Sequence, residues 1–329
     1  MNNRRKLFIV LGGCALVAPR TMLAQSKQAP VLIGWLNADS RESSAHYLNA
    51  FKEGLSAFGW KEGSQLVIEE RWADARYGRL QSLTEELARK KAALIVAAPL
   101  VSVHAAAKAA PTIPIVMATG GGDLVAAGLV KSLARPGGMI TGLTNFNVSI
   151  TEKYLELLLA AAPKVMRVGF LVDPRAGGYT LQMEAVQRSV SHYKVESRFA
   201  EAATPEEIEP ALARLAKEDA QALVVTLSPM LRVERRRIIK LALAQRWPVV
   251  AGASEFAEAG ALLSYNAEAI ANYRRAAYYV DRILKGTKPG DLPIEQSTKF
   301  ELVINGKTAK TLGLIIPQSL LISADKVIE

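Results

Sequence analysis

Cysteine is almost absent from this 329-residue chain: one occurs, Cys14, and it falls in the N-terminal stretch. Beyond that stretch neither a disulfide framework nor thiol chemistry is possible, so a core must hold the fold. Histidine is nearly as scarce. His46, His104 and His192 stand far apart in helical contexts, without the short spacing of a metal centre or a positioned acid–base partner. There is no Gly-x-Ser-x-Gly elbow and no Gly-x-x-x-x-Gly-Lys loop, and Gly120-Gly-Gly122 lacks the lysine that would hold a phosphate. Asp123, Asp173 and Glu255 arise on different loops, where capping or hinge hydrogen bonds explain them as well as paired-carboxylate chemistry does. The sequence therefore argues against an enzyme, and no cofactor or metal is expected. Nucleic acid is excluded as a partner too, because the basic run Arg235-Arg-Arg237 carries no interleaved aromatics and reads as a solvated helix face.

Long apolar runs are also missing, except at the start. Asn2-Asn-Arg-Arg-Lys6 precedes the apolar run Leu7 to Ala18, and Ala24 stands before Gln25. This is the charged, apolar, cleavable order of a secretory signal peptide over residues 1–24, too short to span a bilayer comfortably. A periplasmic mature chain beginning near Gln25 is expected. Leu11-Gly-Gly-Cys14 offers a lipobox, hence a lipid-anchored form through Cys14, although the apolar run would then be cut in half. Arg4-Arg5 followed by Leu7-Phe8 also suits twin-arginine export. Removing the four basic residues of the leader lowers the net charge from +10 to +6, only moderately basic.

The whole chain is half apolar and 22% charged, the composition of a globular protein with room for two domains. The stretch Thr112 to Gly142 organises it. An apolar run, Thr112-Ile-Pro-Ile-Val-Met117, opens into Ala118-Thr-Gly-Gly-Gly-Asp123, which predicts a buried parallel strand ending in a glycine-rich loop, then a helix and another strand. Ligands bind at such strand ends in open α/β sheets. Strand-like runs at Val31 to Leu36, Leu66 to Trp72 and Ala93 to Ala98 alternate with helical stripes such as Leu48, Phe51, Leu55 and Leu80, Leu83, Leu87. The scheme repeats after Ser149, where Ser149-Ile-Thr-Glu152 forms a capping box, with strands at Val165 to Val172, Glu196 to Ala200, Ala222 to Leu227 and Val249 to Ala253. Leftover elements, including the amphipathic helix through Ile270, Tyr273, Ala277, Val280 and Leu284, send the chain back and forth between the halves. The expected fold is α/β: two Rossmann-like lobes joined by a multi-strand hinge, lobe 1 from 31–144 plus 265–290 and lobe 2 from 145–264 plus 291–325.

Short polar loops recur at the strand ends of both halves and would converge on one cleft that hinge closure seals around a small molecule. They supply the candidate ligand residues Asn37, Ser40, Ser102, Thr119, Asp123, Asp173, Tyr179, Ser228, Glu255 and Tyr265. Asp123 would suit an α-amino group and Arg41 or Arg175 a carboxylate, while Trp35 and Trp72 read as core.

Several stretches together resemble a known family. Phe51-Lys-Glu-Gly-Leu55, Ile68-Glu-Glu-Arg-Trp-Ala73, Ile113-Pro-Ile-Val116, Ala134-Arg-Pro-Gly-Gly138 with Ile140-Thr-Gly142, and Lys299-Phe-Glu-Leu-Val-Ile-Asn305 with Lys307-Thr-Ala-Lys310 look like signatures of bacterial ABC-transporter substrate-binding proteins, in the group that includes tryptophan-binding lipoproteins. The resemblance implies a type I periplasmic-binding fold with three crossovers, a small-molecule ligand between the lobes, a partner permease and ATPase, and a monomer in solution. The family's Gly-Gly-Asp-Pro reads Gly121-Gly-Asp-Leu124 here, and its Asn-Pro reads Asp173-Pro174. A periplasmic sensor module or a secreted enzyme on the same scaffold are the alternative readings.

Overall fold

The computed structural model describes residues 29–145, 149–177 and 179–329. The expected leader, with Cys14, lies outside the described residues, as does the Ser149 side chain of the expected capping box. The first half runs β1 (Val31–Asn37), α1 (Arg41–Ala57), β2 (Leu66–Trp72), α2 (Leu80–Arg89), β3 (Leu94–Ala98), α3 (Leu100–Ala109), β4 (Ile115–Met117) and β5 (Ile140–Thr144). β3, β4 and β5 are buried at every position, as strands covered on both faces must be, and β3 and β4 accordingly read as unbroken apolar runs. α2 buries Leu80, Leu83 and Leu87 on one face, each leucine contributing about 1.5–3 kcal/mol by burial.

No helix joins β4 to β5. The chain turns instead through residues 124–134, with Asp123 accepting from Val125 N–H and Ala126 N–H at 2.9 and 3.0 Å and Gly128 in a left-handed conformation (φ +69). A side chain capping the first N–H groups starts the turn, and the left-handed residue stops it from propagating. At the far end Gly142 (φ +122) lies against β4, where a Cβ would stand 2.1 Å from Met117 O. Only glycine fits there.

The second half comprises α4 (Ser149–Ala161), β6 (Arg167–Val172), α5 (Tyr179–Tyr193), β7 (Glu196–Glu201), α6 (Ile208–Lys217), β8 (Ala222–Val225), α7 (Pro229–Val233), α8 (Arg235–Ala244), β9 (Val249–Ala251), α9 (Ser254–Glu258) and β10 (Leu263–Ala267). There follow α10 (Ala269–Leu284), β11 (Glu295–Gln296), β12 (Phe300–Asn305), α11 (Gly306–Leu312), α12 (Gln318–Ser323) and β13 (Lys326–Ile328).

The strands form two sheets, ordered β11-β5-β4-β3-β1-β2 and β13-β12-β10-β9-β8-β6-β7. Among the described pairs only β10 and β12 run antiparallel. Each sheet has an apolar cluster on either face, so each half is a doubly wound lobe. The chain passes between lobes three times: after Thr144, between β10 and α10, and between β11 and β12. Two expected boundaries move. β10 keeps Tyr265 to Ala267 in the second sheet by pairing with β12, and Glu295–Gln296 stays with the first by pairing with β5. Strand pairing across the hinge, which periodicity does not report, sets both positions. α10 returns to the first lobe along α1, and the two approach so closely at Gly54 that a Cβ there would lie 2.4 Å from Arg274 O.

Candidate functional site

Where the carboxyl ends of the two sheets face each other they enclose a cavity of about 60 Å³. That is room for several waters' worth of polar ligand by the same measure. Lobe 1 and its returning helix contribute Tyr47, Thr119, Gly120, Asn145 and Tyr273; lobe 2 and its hinge strands contribute Ser228, Arg232, Ser254, Asn266 and Glu301. The glycine loop is locked from behind: Gly120 N–H donates to Asn145 Oδ1 at 3.1 Å, and Asn145 N–H and Thr144 Oγ1 both donate to Gly120 O. Two residues at the first crossing thus hold the loop that reaches the cavity.

Two clasps bridge the lobes. In one, Tyr77 of lobe 1 donates its hydroxyl to Asp173 Oδ2 of lobe 2 at 2.8 Å, Ser228 Oγ donates to the same oxygen at 2.7 Å, and Met230 N–H donates to the Tyr77 oxygen at 3.3 Å. Burial, then the neighbouring Asp173 charge, pushes the Tyr77 hydroxyl well above its ordinary range, keeping it protonated as a donor. In the other clasp, Tyr47 and His46 of α1 meet Glu255 of α9, at 2.7 Å from the Tyr47 hydroxyl and 3.4 Å from His46 Nε2. Beside them Arg232 of α7 stands 3.5 Å from Asp39 and over the Tyr47 ring at 5.9 Å.

These charges are deeply buried: Asp39, Arg232 and Glu255 are 1%, 6% and 7% exposed. Burial pushes the Asp39 carboxyl up by more than Arg232 draws it down. Burial acts on Glu255 in the same sense but is outweighed by His46, Arg232 and Tyr47, which hold its pKa at about 2. Arg232 is held charged by Asp39, Tyr47 and Glu255 against its own desolvation. Within this clasp and the adjoining wall, Arg232 Nε, Asn37 Nδ2, Asp39 Oδ1, Glu255 Oε2 and Asn266 Oδ1 are buried without a hydrogen-bond partner. Of these residues Arg232 and Asn266 line the cavity, whereas Asn37, Asp39 and Glu255 stand behind it; buried polar atoms are nearly always paired, so the two at the wall are open to a ligand.

The candidate residues separate into groups. Thr119 and Ser228 line the cavity. Asn37, at the end of β1, is fully buried behind it, accepting from Asp39 N–H at 2.9 Å. Asp173, Ser228 and Glu255 belong to the clasps. Ser40 caps α1 by accepting from Ser43 N–H, and Ser102 of α3 donates to Ala98 O at the end of β3, so both hydroxyls are engaged by the backbone. Asp123 is spent on its turn and is not among the lining residues. Tyr179 donates to Glu201 on the surface, and Tyr265 stacks on Phe300 at 5.6 Å, away from the cavity.

The expected loops at Pro99, Ser228 and Ser254 open helices α3, α7 and α9, and Ser228 caps α7 by accepting from Leu231 N–H. Arg41 pairs with Glu70 at the surface, and Arg175 lies over the Tyr77 ring at 5.2 Å. Trp35 is core, 5.5 Å from Phe51 and 5.7 Å from Tyr273. The residues that sequence reasoning missed are Asp39, Tyr47, Tyr77, Arg232, Asn266 and Tyr273. Only Asp39 carried a local signal, its place in the first strand-end loop.

Two parallel α/β lobes, three crossings and a polar cavity between sheet ends define a two-lobed ligand-binding protein. Residues 36–328 match the ABC transporter substrate binding protein family, and the chain belongs to it. Members of this family are binding proteins rather than enzymes. A tyrosine-binding protein of Clostridioides difficile (strain R20291) is 27% identical over 264 residues, covering 80% of this chain and 75% of that protein. The ABC domain from Streptococcus pneumoniae in complex with L-Trp is 24% identical, with a TM-score of 0.84 over 91% of this chain and 100% of that one. A ligand-free, open structure of a substrate-binding protein with adhesive properties from Clostridium difficile is 26% identical, with a TM-score of 0.66 over 91% and 99%. At matched coverage the likeness is greater to the complex than to the open structure. The hydrogen bonds joining the lobes here describe a closed arrangement.

Proposed function

We propose that this protein is an exported receptor that captures a small amino-acid-like solute, aromatic side chains included, and delivers it to the permease and ATPase of an ABC importer. The observation that carries this reading is a cavity to which both lobes contribute, with two unpartnered buried polar atoms, Arg232 Nε and Asn266 Oδ1, on its lining residues. A solute that pairs those atoms would favour the closed form, and hinge opening at a permease would release it. Thr119, Ser228 and the backbone of the Gly120 loop are proposed to touch the solute, with Asp173 and Glu255 holding the closed form around it. The tyrosine-binding relative and the L-Trp complex make aromatic amino acids the first class to try. Export rests on the leader's charged-apolar-cleavable order, and fractionation with N-terminal mass analysis of the mature chain tests it.

The test of binding is a thermal-shift screen of the purified mature chain against amino acids, aromatic acids and purines. A ligand at a hundredfold excess over its dissociation constant adds about 2.7 kcal/mol of apparent stability, which is plainly visible as a higher Tm. One class should shift the melt. A flat response to all of them would overturn the solute-receptor reading.

A further inference from the structure

Arg232 is the cation most deeply set in the cavity wall. Its guanidinium makes no hydrogen bond among the described residues; its one ion-pair contact, to Asp39, is loose at 3.5 Å, and its Nε is buried and unpartnered. An arginine carries five N–H donors in a planar fork that suits a carboxylate bidentately. Leaving the buried Nε without a hydrogen bond is costly, and a second carboxylate-type group reaching the cavity face would relieve that cost. The opposite chemistry lies on the hinge strands lining the same small cavity. Asn266 Oδ1 of β10 is a buried acceptor without a partner, and Glu301 of β12 is an acid with no ion-pair partner among the described residues. Arg232 is the only Lys or Arg among the described residues that line the cavity. The cavity therefore has one cationic pole on α7 and one acceptor-rich pole on β10 and β12.

We propose that the ligand is an α-amino-acid zwitterion bound by its two poles, its carboxylate held by Arg232 and its ammonium by Asn266 and Glu301. This deepens the solute-receptor reading and rests on it. The side chain of the ligand then extends along the apolar remainder of the cleft, toward Leu100 and Leu227. Asp39 and Tyr47 act differently: the ion pair and the ring beneath the guanidinium hold its plane in place, which makes them positioning residues. The carboxylate role thus goes to a buried arginine on a five-residue helix and not to Arg41 or Arg175, which are on the surface.

Isothermal titration of the purified chain tests this with four probe sets: the twenty proteinogenic L-α-amino acids, their α-carboxamides, the corresponding acids lacking the amino group, and purines. In the native protein at least one amino acid should bind, and better than its carboxamide by on the order of a hundredfold. Arg232→Gln should lower affinity for the acid to near that of the carboxamide, collapsing the ratio, while Arg232→Lys keeps part of it. Glu301→Gln should weaken the amino acid by about tenfold more than its des-amino counterpart. If Arg232 merely balances Asp39 and Glu255, Arg232→Gln will weaken acid and carboxamide alike and leave the ratio unchanged, which overturns the proposal. Binding confined to carboxamides, des-amino acids or purines also overturns it while the solute-receptor reading stands. Silence from every class removes both. Circular dichroism melts of each variant separate lost recognition from lost folding, and Arg232→Lys supplies the folded comparison should the glutamine variant not fold.

Discussion

Replacing Tyr77 by Phe removes one oxygen atom and should weaken every ligand of this protein by the same factor. Tyr77 sits just beyond a strained turn in which Asp74 and Ala75 are left-handed (φ 53 and φ 60), a conformation that costs an ordinary L-residue roughly 1–2 kcal/mol. The turn is held because Ala75 N–H donates to Ala38 O at 2.8 Å and the Ala75 side chain is buried against the apolar cluster of the second lobe. From it Tyr77 crosses the cleft to Asp173, and it does not line the cavity. In the Phe variant Asp173 keeps Ser228 and Arg175 N–H, but Met230 N–H loses its contact with the tyrosine oxygen.

A hydrogen bond to a charged acceptor contributes about 1.5–3 kcal/mol, so the closed form should lose on the order of 2 kcal/mol. If the open form dominates without ligand, that loss appears in full in the dissociation constant, roughly thirtyfold at about 1.4 kcal/mol per decade. Titration calorimetry with two different ligands measures it, and small-angle scattering of the unliganded variant should show a larger radius. A Kd within twofold of the native value, or a loss confined to one of the two ligands, would refute the reasoning, because Tyr77, which does not line the cavity, must act on both.

Glu255 should make the closed protein sensitive to acid. Its carboxyl is held at about 2 against an ordinary 4.5, so its contribution is complete above about 4.5 and is lost as pH falls toward 2; it amounts to on the order of 3 kcal/mol. Urea midpoints between pH 6 and 2.5 check this, and in Glu255→Gln that part of the pH slope should vanish. Gly142→Ala should cost about 3 kcal/mol or more, since a methyl at φ +122 would collide with Met117 O; chemical denaturation measures it, and a loss under 1 kcal/mol would show that β4 and β5 can separate locally. Asp123→Ala should lower stability by about 1 kcal/mol through lost turn caps while changing ligand affinity less than twofold, because its side chain serves Val125 and Ala126 and not the cavity.

The two lobes were legible because their strands are buried on both sides: runs such as Leu94–Ala98 and Ile115–Met117 are wholly apolar, and the stripe Leu80, Leu83, Leu87 has helical spacing only. Less legible were the short helices after strand ends. In α7 and α9 five residues are too few to display a period, so Ser228 and Ser254 read as loop residues although each begins a helix. The helix expected between Asp123 and Arg135 failed for the opposite reason, since an apolar composition persists there while a capped turn and Gly128 interrupt the backbone.

The sequence by itself determined the class of this protein: alternating buried strands and amphipathic helices, no catalytic constellation, and polar residues gathered at strand ends. The tertiary structure alone decided which of those residues meet. Arg232 comes to Asp39, Glu255 to Tyr47, and Asp173 to Tyr77 across separations of 193, 208 and 96 positions, the second and third as hydrogen bonds and the first as a loose ion pair. Local propensity acts over a few residues, whereas such contacts follow from where three chain crossings set one lobe against the other, and a short polar side chain looks the same in the sequence whether it caps its own helix or reaches across a cleft.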